Sequence, residues 1–116
     1  MANLLRHSPE DRKKQLSRKT DVPFILAFKY PLQKGYTFSS LSNTNVIEFQ
    51  RFLDKISKMT FDQVDKSFRR PTDKNDTFND SQVIHYEVSK SFRIHGVIEN
   101  ARFKVLRLDP NHKYHC

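Results

Sequence analysis

A chain of 116 residues is long enough for one domain with a real core and too short for two of ordinary size. A net charge of +8, from 21 basic against 13 acidic side chains, favours a polyanionic partner: RNA, DNA, an acidic protein or an anionic membrane surface. The single cysteine, Cys116, excludes an intramolecular disulfide, and the longest apolar run, residues 24–28, is far too short to cross a bilayer.

Residues 1–20 hold six basic and two acidic side chains and no apolar stretch of the signal-peptide kind, so a cytoplasmic protein is expected, with no membrane partner. Ser8, Pro9, Glu10 and Asp11 read as a helix start, with Ser8 as N-cap, Pro at the first helical position and carboxylates in the first turn. The spacing predicts a short helix over residues 9–19. Leu16 is its main apolar contact, so it is either a solvated arm or one that touches RNA. Residues 1–20 are thus set apart as a basic helical arm, and residues 21–116 as one domain.

Residues 24–30, FILAFKY, predict a strand with Phe24, Leu26, Phe28 and Tyr30 on one face and Pro31 ending it. Residues 32–44 read as a loop around Gly35. Asn45 with Glu48 resembles a capping box, after which Val46, Phe49, Leu53 and Ile56 recur at helical spacing. Thr60 with Gln63 repeats the signal ahead of Phe61, Val64 and Phe68. Two helices, over residues 46–58 and 61–69, follow, with their phenylalanines assigned to the core. The polar stretch of residues 69–80 reads as a connection.

Three strands are predicted next, over residues 83–88, 92–98 and 102–108, joined by connections short enough for antiparallel hairpins. In the middle one, Phe92, Ile94, Gly96 and Ile98 share a face meant for the helices, and Arg93 and His95 are expected on an open face. The expected fold is therefore α+β: one N-terminal strand, two helices and a three-stranded antiparallel C-terminal meander packed on them, preceded by the arm.

Residues 81–116 carry four of the five histidines, six Lys or Arg, Tyr86 and Tyr114. These residue types suit metal-independent cleavage of a phosphodiester. A basic group stabilises the pentavalent phosphate, a His, Lys or Glu takes the ribose 2′-hydroxyl proton, and a His, Tyr or Arg protects the leaving oxygen. His112, His115 and Cys116 are zinc-type ligands but lack the paired spacing of a structural site, so neither metal nor cofactor is expected. His85, beside Tyr86 in a strand, reads as a packed or edge residue.

The order strand, helical pair and meander, with FRIHGVIENARFKVLRLDPNHKYH at its end, resembles the RelE/ParE superfamily of toxins from toxin-antitoxin systems over residues 24–115. The resemblance implies an endoribonuclease that cuts messenger RNA at the ribosome and is held inactive by a cognate antitoxin protein. It implies Arg93 as the phosphate-stabilising arginine and His112 with Tyr114 as the acid-base and stacking pair of the tail. Lys90, His95, Arg107 and Lys113 are its second-choice substrate contacts. The alternative is a non-enzymatic basic binding module for nucleic acid or for a protein it inhibits, as ParE-like relatives inhibit gyrase.

Overall fold

In the computed structural model of the chain, residues 22–114 are described; the expected helix of residues 9–19, His115 and Cys116 lie outside the described residues. Helix α1 spans Asn43–Ile56 and begins where Ser42 closes a capping box. Its hydroxyl accepts the Asn45 N–H at 3.1 Å and Asn45 Oδ1 accepts the Ser42 N–H at 2.9 Å. The sequence expectation set this box three residues late. Asn45 is the third helical residue and not the cap, and its amide Nδ2 donates onward to Glu48 at 3.1 Å. Helix α2, Phe61–Phe68, starts at the expected box, Thr60 with Gln63. Phe49, Phe52 and Ile56 of α1 and Phe61 and Val64 of α2 are the buried positions, one apolar stripe per helix.

These stripes rest on a mixed five-stranded sheet of order β1-β7-β6-β5-β2, so the architecture is α+β with two helices. Its strands are β1 (Leu26–Ala27), β2 (Arg69–Arg70), β5 (Ile84–Glu87), β6 (Arg93–Glu99) and β7 (Arg102–Asp109), while β3 (Thr77–Phe78) and β4 (Ser81–Gln82) form a separate two-stranded hairpin. Strand β1 runs parallel to β7, pairing Leu26 with Phe103 and Ala27 with Lys104, and the β2–β5, β5–β6 and β6–β7 pairs are antiparallel. The stretch expected as a plain connection, residues 69–80, thus supplies both a sheet edge and the first arm of the side hairpin.

The first strand is much shorter than the expected residues 24–30, because its flanks bond elsewhere. Phe24 donates its N–H to the Met59 carbonyl, and the Val22 carbonyl accepts from Phe61 N–H, both at 2.9 Å, which ties the chain to the turn between the helices. The four aromatic and aliphatic side chains assigned to one face accordingly separate. Phe24 is buried and Leu26 packs on the same core, Phe28 is exposed and lies against Phe38 at 5.4 Å, and Tyr30 packs on Phe78 at 4.9 Å, with the second, smaller cluster.

Both sheet faces are covered. Tyr86, Ile94, Phe103, Val105 and Leu108 join the helices in the main core, while Val83, Val97 and Leu106 form the second cluster on the far side. A register shift produces this split: His95 pairs with Arg107 but Gly96 with Val105, so Leu106 is an extra residue that turns to the far face. Gly96 sits at that irregularity because a Cβ there would collide with the Lys104 carbonyl oxygen and come within 2.8 Å of the Phe103 ring. The expected open face for Arg93 and His95 is therefore wrong: Arg93 is 8% exposed and His95 fully buried. The side hairpin, held by Phe78, and the returning Tyr114 lie over the face that sequence alternation left to solvent.

Candidate functional site

Antiparallel register sets side chains from neighbouring strands side by side on one face. The far face carries two such rows. Arg70, His85, His95 and Arg107 pair in turn across β2, β5, β6 and β7, and Glu87, Arg93 and Asp109 form the row beside them. The imidazoles of His85 and His95 stack, with centroids 3.6 Å apart and planes 7° from parallel.

Around this stack the polar groups interlock. Asp76, on the approach to the side hairpin, brings its Oδ2 to 2.7 Å from Arg107 Nη2 and 3.6 Å from His85 Nε2. The Thr72 hydroxyl is 3.1 Å from His85 Nε2. Asp76 is anchored by its own backbone: its N–H donates to the Asp73 carbonyl at 3.0 Å, and its carbonyl accepts from Val83 N–H at 2.9 Å and Gln82 Nε2 at 3.2 Å. On the opposite side Asp109 turns the tail. Its carboxylate accepts the N–H groups of Lys113 and Tyr114, each at 2.9 Å, and lies 3.8 Å from His95 Nε2.

That turn returns Tyr114 over the site. Its ring lies 3.6 Å from the Arg107 guanidinium carbon, a cation–π contact, and meets the His95 and Tyr36 rings edge-on at 5.5 and 5.3 Å. A cleft of about 330 Å³ opens beside it, lined by Asp76, Arg107, Tyr114, Gln33 and Phe78 among others. Phosphate-reactive residue types thus meet at one place: a guanidinium, two imidazoles, a phenol and a carboxylate.

Of the residues singled out in the sequence, His95, Arg107 and Tyr114 converge here. Arg93 does not join them. Its Nη1 donates to the carbonyls of Ser89 at 2.8 Å and Lys90 at 3.0 Å, and its Nη2 pairs with Glu87 at 3.2 Å, so the guanidinium assigned to phosphate is committed to the β5–β6 turn. Lys90, His112 and Lys113 are exposed, the first in that turn and the others after β7, where His112 adopts a left-handed φ of 54°. Sequence reading gave no site role to Asp76, Thr72 or Asp109, and it took His85 for a packed or edge residue. His85 is indeed buried, and the signal for its place in the row was the hairpin register that sets it opposite His95.

The remaining charged residues of the far face have structural partners. Glu99 accepts from Tyr30 Oη at 2.5 Å and from Lys104 Nζ at 3.2 Å. The Tyr30 bond first, then Lys104 and Asn79, hold the Glu99 carboxyl below its usual range, and the same bond raises the Tyr30 phenol. On the core side, burial and then the Asp65 carboxylate raise the Tyr86 phenol strongly. Among the described residues no group of three or more His, Cys, Asp or Glu is arranged to hold a metal ion, and no helix is long and apolar enough to cross a membrane. No protein-family model, no curated protein and no solved structure matches this chain.

Proposed function

We propose that the protein is a metal-independent endoribonuclease of the RelE/ParE kind, a toxin that cuts messenger RNA, at the ribosome, and is restrained by a cognate antitoxin. The observation that carries this reading is the meeting of Arg107 and Tyr114, which line one cleft, with the buried His85–His95 stack that Tyr114 and Asp76 contact. The order of strand, two helices and then three successive antiparallel strands, taken as the C-terminal meander, is in keeping with the resemblance. In the proposed reaction an imidazole removes the ribose 2′-hydroxyl proton and the 2′-oxygen attacks phosphorus. The P–O5′ bond breaks, and the 5′-oxygen leaves with a proton from the second imidazole or the Tyr114 phenol. The products are a 2′,3′-cyclic phosphate and a free 5′-hydroxyl. Arg107 stabilises the charge that builds on the phosphoryl oxygens, the role that the resemblance gave to Arg93.

Induced expression is expected to arrest growth. Arg107→Lys, which keeps the charge but loses the planar fork, is expected to relieve the arrest, as is Tyr114→Ala, while Lys90→Ala leaves it in place. Normal growth at full expression of the unaltered chain would count against the toxin reading. The burial of His95 and Arg107 and the number of exposed cations elsewhere, among them Lys29, Lys34, Lys55, Lys58 and Lys74, favour a second reading, a basic module that binds polyanions without cutting them. It predicts RNA binding that weakens steeply with salt and leaves the RNA intact.

A further inference from the structure

We propose that the Asp76 carboxylate is a built-in stand-in for a phosphate group: Arg107, His85 and Thr72 form an anion cradle that Asp76 plugs from within. Arg107 is the central group of the cradle. Only 3% of it is exposed, and the Tyr114 ring against its guanidinium fixes the plane of the group. The edge formed by Nε and Nη2 is the fork with which arginine grips two oxygens of one phosphate or carboxylate. Here that edge is half used. Nη2 donates to Asp76 Oδ2 at 2.7 Å, while the buried Nε has no hydrogen-bond partner. A buried donor left in that state costs about 1–3 kcal/mol; Arg93 Nε is in the same state, and what sets Arg107 apart is the imidazole and hydroxyl that face the same carboxylate.

The same Oδ2 is 3.6 Å from His85 Nε2, and the Thr72 hydroxyl reaches that nitrogen at 3.1 Å. A tetrahedral phosphate at the position of the Asp76 carboxylate would meet both arms of the Arg107 fork, the His85 imidazole and the Thr72 hydroxyl together. Little has to move to admit it. The Asp76 backbone is held on both sides by Asp73, Gln82 and Val83, so rotation of one side chain vacates the cradle, and the adjoining cleft provides access. Asp76 is a covalently tethered competitor, and removing it removes its effective concentration. On the proposed function the group admitted is a phosphate of the RNA backbone, and the plug sets how readily RNA engages. The cradle itself requires only phosphate chemistry.

The test is titration of the full chain and of its Asp76→Asn and Asp76→Ala forms with inorganic phosphate and, separately, with a short all-deoxy oligonucleotide that cannot be cleaved through a 2′-hydroxyl. Binding is followed by calorimetry and by the shift in melting temperature. Both variants are expected to bind phosphate at least about tenfold more tightly than the unaltered chain, and Asp76→Ala with Arg107→Gln is expected to lose that gain. A matching gain for the oligonucleotide assigns the cradle to a phosphodiester; a gain for inorganic phosphate alone assigns it to a free phosphate and removes Asp76 from RNA engagement. Equal phosphate affinity in all forms overturns the proposal, and so does a gain that survives loss of Arg107. Should both variants unfold, added phosphate is expected to restore their folding by replacing the lost anion, and failure to do so also overturns it. Tight phosphate binding by Asp76→Ala with no RNA cleavage by any form would leave the cradle standing and remove the nuclease reading.

Discussion

Arg93 and Arg107 look alike in the sequence, each a basic residue in a strand of alternating character, yet the fold uses them differently. Arg93 holds the β5–β6 turn through carbonyl oxygens and Glu87, so Arg93→Ala is expected to lower unfolding free energy by about 2–3 kcal/mol. RNA or phosphate affinity per folded molecule should not change, which denaturant unfolding and binding assays on the same sample can separate. The sequence could identify the residue types that phosphate chemistry needs, but not which arginine is spent on its own backbone, because that depends on turn carbonyls that no side-chain pattern encodes. Two titrating groups give a further expectation at this scale. The Glu99 carboxyl is held low, so its contribution to stability is complete above the usual carboxylate range and is lost as pH falls through the lowered value. Glu99→Gln should therefore flatten the acid limb of a stability profile. The Tyr86 phenol is raised, so its contribution is complete below about pH 10 and is lost as pH rises beyond it. Tyr86→Phe should cost about 1–2 kcal/mol at neutral pH and flatten the alkaline limb.

At the scale of elements, periodicity located both helices of the α+β fold, because each has an apolar stripe of the right period. Boundaries were less legible where two caps compete. Ser42 and Asn45 both precede α1, and only the backbone shows that Ser42 is the cap and Asn45 its reciprocal partner. Ser42→Ala is expected to cost about 1 kcal/mol, and Glu48→Ala much less, as measured by thermal unfolding. The edge strand β2 was illegible, since a two-residue strand has no period, and β1 was read as residues 24–30 although only Leu26–Ala27 pair. Nor could alternation foresee the irregularity at His95 and Gly96, where Leu106 slips to the far side and builds the second cluster. Gly96→Ala tests it directly. The added methyl meets the Lys104 carbonyl oxygen, backbone that cannot step aside, and a loss of about 1–3 kcal/mol is expected in denaturant titration.

For the whole molecule, the decisive difference from the sequence expectation is that the sheet has no bare face. Helices cover one side, and the side hairpin and Tyr114 cover the other, so Asp76, Arg107 and Tyr114 line a cleft while His85 and His95 are buried, none of them on an open surface. The Arg107 charge is balanced locally by Asp76, while the exposed lysines carry much of the long-range attraction that a charge of +8 exerts on polyanions. Attraction over the surface and the proposed phosphodiester chemistry are thus separable, and cleavage is the part that defines the proposal. The most direct measurement is incubation of the purified chain with messenger RNA, with and without ribosomes, in excess EDTA, followed by analysis of the new RNA ends. The account predicts 2′,3′-cyclic phosphate and 5′-hydroxyl ends that appear with the unaltered chain and not with Arg107→Lys; RNA that stays intact under both conditions, or cleavage that stops on metal removal, would contradict it.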